Sequence, residues 1–273
     1  MTTIVRFAAV AALAQPLLFA TPTPALAQRP SAPGAREGSA TIAGDGGDPA
    51  LVTPANAARL KPGKWTYVTR LMGSGPPTRL GFRTLELRED SYDGAPAWRL
   101  VDSRQLATVT LADTLFLSRS DLTPLHHVMH APGSDVTTEF GADSIRATFT
   151  GQQGEAREAI AAEPRVLASL YLLEALVGVS PLDSSWRGGA RLAAIGRDGA
   201  GIVPVVLRTT GEERVLIPDG PADCWVLSLD VGKGGQRLWV RKSDGVVVKE
   251  RIPVVGMADT ELELLLAEHG VGK

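Results

Sequence analysis

The chain has a single cysteine, Cys224, among 273 residues. One thiol cannot close an internal disulfide, so stability has to come from burial rather than covalent staples. Its position also excludes a lipid anchor, which would need a cysteine just behind a signal sequence. Long apolar runs are missing as well. The one near the start, Phe7 to Ala20, is interrupted by Gln15 and Pro16 and falls well short of the ~20 residues that span a bilayer. Charge of one sign is scarce. With 28 Lys and Arg against 30 Asp and Glu, the net charge is −2 and no basic run occurs, so the electrostatic footprint of nucleic-acid binding is absent.

Catalytic motifs are missing in the same way. There is no G-x-S-x-G elbow; the "GSG" at 73–75 lies in a loop and lacks the frame. "GKGG" at 232–235 has no Ser or Thr after Lys233 and no glycine at P-loop spacing, so it reads as a hairpin turn. Cys224 precedes Trp225 on a strand with no evident activating partner, which makes it a small buried apolar residue rather than a nucleophile.

The N-terminus carries an address. Arg6, the apolar run and the small-x-small stretch Ala25-Leu26-Ala27 predict a secretory signal, residues 1–27, cut after Ala27. The expected product is an exported protein, periplasmic or extracellular. Loss of Arg6 takes its formal net charge from −2 to about −3. Residues 28–48, "QRPSAPGAREGSATIAGDGGD", have almost no large apolar side chain and predict a disordered lead. Residues 49–273 are expected to form a single β-rich domain, long enough to bury a real core.

Within that domain the dominant period is two. Thr53 and Pro54 open a short helix that Pro62-Gly63 stops. In "KWTYVTRL" Trp65, Tyr67 and Thr69 share a face. Leu85 and Leu87 take the face opposite Leu80, Phe82, Thr84 and Glu86. "DGAP" (93–96) is a turn, and Trp98 and Leu100 lie together on the next strand. Further strands are predicted at 106–118, 124–131, 135–141 and 144–150, with "GADS" (141–144) as a tight turn. The C-terminal third reads as strand again: "IVPVVLRTT", "ERVLIP", "DCWVLSLDV", "QRLWVRK", "VVVKERIP" and "TELELLLAE". Asp244-Gly245 signals a two-residue hairpin.

One segment breaks the period. "EPRVLASLYLLEALVG" (163–178) places Leu167, Leu170, Tyr171, Leu173, Leu176 and Val177 at helical spacing, with Leu172 and Ala168 widening the apolar face. Such an oily helix belongs across a sheet rather than on a surface. The expected class is therefore mainly β: a curved antiparallel sheet or half-barrel of about ten or eleven strands covering one buried helix.

"LHHVMH" (125–130) puts His126, His127 and His130 in six positions. The spacing is that of H-E-x-x-H with His127 in the glutamate's place, so the base that zinc hydrolysis needs is lacking. Pro124 and Pro132-Gly133 confine a helix here to about two turns. On a strand, His126 and His130 stand roughly 13 Å apart and His127 faces the other way. The residues thus predict a strand with imidazoles on both faces and call for no metal or cofactor; a metal-dependent hydrolase stays open as the least favoured alternative. Asp102, Asp113, Asp121 and Asp143 fall near strand ends, where two of them can meet only if the fold brings them together.

The order of "LKPGKWTY", "GAPAWRLVDS", "ADTLFLSRSDLTPL", "LASLYLLEAL" and "RLWVRKSDGVVVKERI" over about residues 60–266 resembles exported bacterial proteins of the domain of unknown function 3108 family. It is similar, more distantly, to the periplasmic lipoprotein-carrier and lipoprotein-sorting half-barrels. That second resemblance implies an unclosed barrel with helix over an apolar hollow that takes acyl chains. With the exported address it leads to an expected role: non-enzymatic binding of a hydrophobic or lipid-like ligand in the envelope. Trp65, Tyr67, Trp98, Trp225, Trp239, Leu170 and Tyr171 are the candidate lining, and no catalytic residue is named. The alternative is a structural envelope protein that binds a protein partner and fills its own core.

Overall fold

Asp93 and Gly94 take φ of 49° and 79°, the left-handed pair that a two-residue hairpin needs. They join β2 (Thr78–Tyr92) to β3 (Ala95–Leu106) with Tyr92 opposite Ala95. Close turns of this kind recur along the chain and fold it back on itself. The computed structural model describes residues 50–152, 154–163, 165–196, 199–231 and 234–271. The expected signal, the expected disordered lead and Pro164 lie outside the described residues.

The first arm of the fold is β1 (Gly63–Met72), β2, β3, β4 (Val109–Ser118), β5 (Pro124–Ala131), β6 (Ser134–Phe140), β7 (Ser144–Gly151) and β8 (Ala156–Ala161). The second is β9 (Val166–Leu167), β10 (Arg187–Gly196), β11 (Gly199–Ile217), β12 (Gly220–Val231), β13 (Gly234–Arg241), β14 (Val247–Pro253) and β15 (Glu261–Val271). Strands β1–β8 and β10–β15 are each a meander, β9 reaches β10 by a crossover through residues 168–186, and β1 pairs with β15 in the middle. The result is one 15-stranded sheet, antiparallel except where β9 runs parallel to β10. Two helices are described: α1 (Pro54–Ala57) and α2 (Tyr171–Gly178). Thr53 caps α1 by accepting the Asn56 amide at 3.2 Å.

The connection between the arms dictates the curvature. Laid flat, fourteen inter-strand spacings of about 4.8 Å would hold the edges β8 and β9 roughly 65 Å apart. Residues 162–165 alone link them, a reach of at most about 18 Å. The sheet therefore curls until its edges meet. Among the described residues β8 ladders only with β7, and β9 only with β10. The seam is closed by side chains instead: Ile145, Ile160, Val166, Ala193, Ile195 and Ile202 form a small cluster across it.

Inside, alternate residues of β2, β3 and β4 point at α2. Leu85, Leu87, Trp98, Leu100, Leu115 and Leu117 pack in one cluster with Leu172, Leu173, Leu176 and Val177. Those four helical side chains are at most 1% exposed. Their burial contributes roughly 6–12 kcal/mol, at about 1.5–3 kcal/mol each. A second cluster forms where a bulge at Thr209/Gly211 bends β11. Val215 and Ile217 of its far half join Trp239, Val248, Leu264 and Leu266.

Three expectations need correction. Among the described residues the strands number fifteen, not ten or eleven. Alternation in "AREAIA" (β8) lacks large apolar residues, the Gly- and Ala-rich "RGGARLAAIG" (β10) has weak strand propensity, and β11 runs unbroken through two predicted strands. The helix is half as long as its apolar spacing suggested. Arg165 takes φ 60°, and Val166–Leu167 are drawn onto the edge of β10, so only Tyr171–Gly178 is α-helical. Burial on every side of a segment mimics the one-sided pattern of a helix. Finally, the Asp244-Gly245 hairpin is wider than two residues: the Arg241 amide bonds the Val246 carbonyl at 2.8 Å, enclosing four.

That wider loop carries the end of α2. Gly245 takes φ 76°, and an added Cβ would collide with the Gly178 carbonyl. Gly94 has a similar φ of 79° but open space around it. Gly245→Ala is expected to lower stability by about 1–3 kcal/mol in urea unfolding, more than Gly94→Ala, because it adds a backbone clash to the conformational strain.

Candidate functional site

Strand parity drives a guanidinium into the core. Arg83 stands on β2 two residues before Leu85, on the buried face, and only 3% of it is exposed. Its Nε donates to Asp102 Oδ1 at 2.7 Å, and its Nη1 reaches Glu250 Oε2 at 3.5 Å on β14 and, closer still, Glu174 Oε1 on α2. Asp102 shares the inner face of β3 with Trp98 and Leu100 and lies opposite Asp113 of β4. Arg104 bridges those two, with Nε 3.0 Å from Asp102 Oδ2 and Nη2 on Asp113. Tyr171 covers both cations, its ring centre 5.0 Å from the Arg83 guanidinium and 4.6 Å from that of Arg104. Tyr67 lies 5.8 Å from Arg83 and donates its hydroxyl to the Val247 carbonyl at 3.0 Å.

Four buried carboxylates thus surround two guanidiniums, Arg83 closed off from water and Arg104 reaching towards it. Fully ionised, the group would hold two negative charges in excess, which a low-dielectric interior resists. The relief is protonation. Burial, then the Glu174 charge, push the Glu250 carboxyl up to about 8 against the pull of Arg83, so at neutral pH it carries a proton. Burial also raises Glu174, again opposed by Arg83. Burial works against the charge of Arg83, but Asp102, Glu174 and Glu250 together keep its pKa well above the ordinary value. The Tyr67 and Tyr171 hydroxyls are raised by burial and stay neutral. Chemically, the cluster can hold a proton and can present a cation to an anionic group. It offers no activated nucleophile.

Of the seven predicted lining residues, five gather near this cluster. Tyr67 and Tyr171 touch it, Trp98 is in the apolar core beside it, and Trp65 and Leu170 pack against that core. Trp225 and Trp239 do not join them. Trp225 is half-buried with Lys242 Nζ 3.8 Å over its ring, and Trp239 donates Nε1–H to Glu213 at 2.8 Å. Both lie close to an open cleft of about 340 Å³ lined by Glu212, Glu213, Arg214, Asp223, Cys224 and Lys242. The ions of that cleft pair with one another, Arg214 with Asp223 and Lys242 with Glu212. Cys224 is buried there, and burial pushes its thiol up to about 11, away from reactivity.

The histidines do not converge. His126 Nδ1 meets Glu139 at 2.8 Å, His130 Nδ1 meets Asp135 at 2.8 Å, and His127 Nε2 lies 3.6 Å from Asp113 on the inner face. Each imidazole has its own carboxylate. Among the described residues no group of three ligating side chains is placed to hold a metal, so the zinc-hydrolase alternative has no centre to work from.

Arg83, Arg104, Glu174 and Glu250 are the residues that sequence reasoning missed. Their signal was present: a charged residue at an inward parity (Arg83) or inside an otherwise apolar helix (Glu174).

Comparison with known proteins gives a family and one solved structure of similar fold. The family model described as "Protein of unknown function (DUF3108)" matches residues 66–263. A beta-barrel-like protein of the DUF1849 family from Brucella abortus superposes with a TM-score of 0.50 at 9% identity, over 78% of this chain and 99% of its own. A DUF1329 family protein from Desulfovibrio piger aligns over 82% of this chain and 93% of its own at 13% identity, but its TM-score of 0.24 is too low to indicate a shared fold. No curated protein matches in sequence.

Proposed function

This chain belongs to the DUF3108 family, described as proteins of unknown function, and from that premise we propose that it is an exported, non-enzymatic binder of a hydrophobic or lipid-like ligand in the cell envelope. Export rests on Arg6, the apolar run to Ala20 and the Ala25-Leu26-Ala27 cleavage pattern, with residues 49–273 as the working domain. The observation that carries the binding role is the construction of the wall. A curled sheet surrounds an interior that is apolar apart from the Arg83 cluster, and its two edges meet at a seam held by side chains rather than by a backbone ladder. Such a wall can part without breaking a strand pair, and the distant likeness to lipoprotein-carrier half-barrels belongs to this proposal.

A rival reading draws on one observation. Leu172, Leu173, Leu176 and Val177 already occupy the interior, as they would in a structural protein with a filled core that binds a protein partner. Native mass spectrometry separates the two. Under the binding reading, freshly purified protein carries an adduct of lipid mass that organic extraction removes, or takes one up from added lipid at one per chain. Bare protein that also takes up no added lipid overturns it.

A further inference from the structure

α2 is an oily rod with a single anionic head. Leu172, Leu173, Leu176 and Val177 supply the oil, and Glu174 is the only ionised type of side chain in "YLLEALVG". The sheet receives it as it would a long-chain acid: the apolar residues of β2, β3 and β4 meet the oil, and Arg83 meets the carboxylate. Arg83 is built for more than that one contact. Its Nη2 is buried and has no hydrogen-bond partner among the described residues, and Arg104 stands directly opposite it in the β2–β3 ladder. The helix itself depends on its surroundings. Leu170 at the N-cap position provides no side-chain cap, Ser169 Oγ accepts the Tyr171 amide at a long 3.3 Å, and eight residues are too few for a helix to persist alone.

We propose that α2 is the intramolecular occupant of the binding site, and that the ligand is a long-chain amphiphile with one anionic head, a carboxylate or a phosphate monoester, which takes the place of Glu174 on Arg83. The inference rests on the hydrophobic-ligand reading above and adds the head group and the exchange. Chain length follows from the apolar surface to be replaced: four aliphatic side chains are matched by roughly 8–15 methylenes. Head-group recognition follows from the planar fork of arginine, which pairs with either oxyanion. No covalent step is involved. As the ligand enters, α2 leaves the interior on the segments that flank it, residues 168–170 behind β9 and the loop at 179–185, while β9 stays on β10.

The test uses cis-parinaric acid and its neutral methyl ester as fluorescent probes, titrated into the wild-type protein, Glu174→Gln and the double variant Arg83→Leu with Glu174→Leu. The double variant removes the helical carboxylate together with its cation; of the other two partners of Arg83, Asp102 keeps Arg104 at 3.0 Å and Glu250 keeps its proton, so the loss of charge is shared rather than left on one group. The acid is expected to bind at one per chain and at least tenfold more tightly than the ester. Glu174→Gln removes the internal competitor and tightens the acid about tenfold without changing the ester. The double variant binds both alike. Displacement of the probe by dodecanoate and by dodecyl phosphate, but not by dodecanol, identifies the head. Hydrogen exchange at residues 171–178 speeds up when the acid binds. Equal affinity for acid and ester in wild type, an unchanged acid affinity in Glu174→Gln, or amides of α2 that stay protected would overturn the exchange and leave the hydrophobic-ligand reading standing. Failure of both probes to bind all three proteins would overturn that reading itself.

Discussion

Arg83→Met is expected to lower folding stability by about 3–5 kcal/mol, the range seen when one partner of a buried ion pair is removed and the other is left behind. Here three carboxylates, Asp102, Glu174 and Glu250, lose the guanidinium that serves them all. The methionine restores most of the volume, so the cost arises from charge rather than from a cavity. The measurement is urea unfolding at neutral pH, read as a lower midpoint with an unchanged slope. Arg83→Lys separates charge from geometry. A point charge on a flexible stem cannot meet Asp102 through Nε and Glu174 through Nη1 at once, so the lysine should recover only part of the loss. If Arg83→Met unfolds within about 0.5 kcal/mol of wild type, the cluster is not the electrostatic centre of the core.

The same cluster explains why the fold was more legible in the sequence than the site. Alternation at Leu85 and Leu87, at Trp98 and Leu100, and the turn at Asp93-Gly94 are local signals, and each names its strand without help from the rest of the chain. Asp102 and Asp113 were visible as carboxylates near strand ends, but their meeting depends on the β3–β4 register, which places them directly opposite each other. Glu250 joins them from the other arm of the sheet, 148 positions further along the chain than Asp102, through curvature that no local window contains. Glu174 was hidden by the strength of the pattern around it, since the leucines on both sides made the helix read as uniformly apolar. The edges went wrong for a related reason. β8 and β10 are short of large apolar residues because the seam needs few of them, so a propensity argument passes over them. In this chain local periodicity identifies the walls, while the interior chemistry is written in the few residues that violate it.

Glu250 gives that chemistry a pH dependence opposite in sign to ordinary acid denaturation. Its folded pKa of about 8 lies above the ordinary carboxyl value of 4.5, raised by burial and by the Glu174 charge. Between those limits the folded protein keeps a proton that the unfolded chain has released. Stability contributed by the protonated form is therefore complete below about 4.5, declines as pH rises through the window, and is lost above about 8, with a limiting slope of about 1.4 kcal/mol per pH unit. Glu174, also raised, acts in the same direction, and the two titrate as a coupled pair. Asp121, Asp183, Glu213 and Asp244 are lowered, so their contributions are lost only as pH falls below the usual carboxylate range, outside this window. Wild-type protein is expected to lose stability steadily from pH 5 to pH 8 in a series of urea titrations. Glu250→Gln preserves the shape of the protonated acid and cannot ionise. Its stability should match wild type near pH 5, fall more gently, and exceed wild type by several kcal/mol at pH 9. Parallel curves for the two proteins across that range would mean that Glu250 does not keep its proton in the folded core, and the charge balance drawn around Arg83 would have to be redrawn with all four carboxylates ionised.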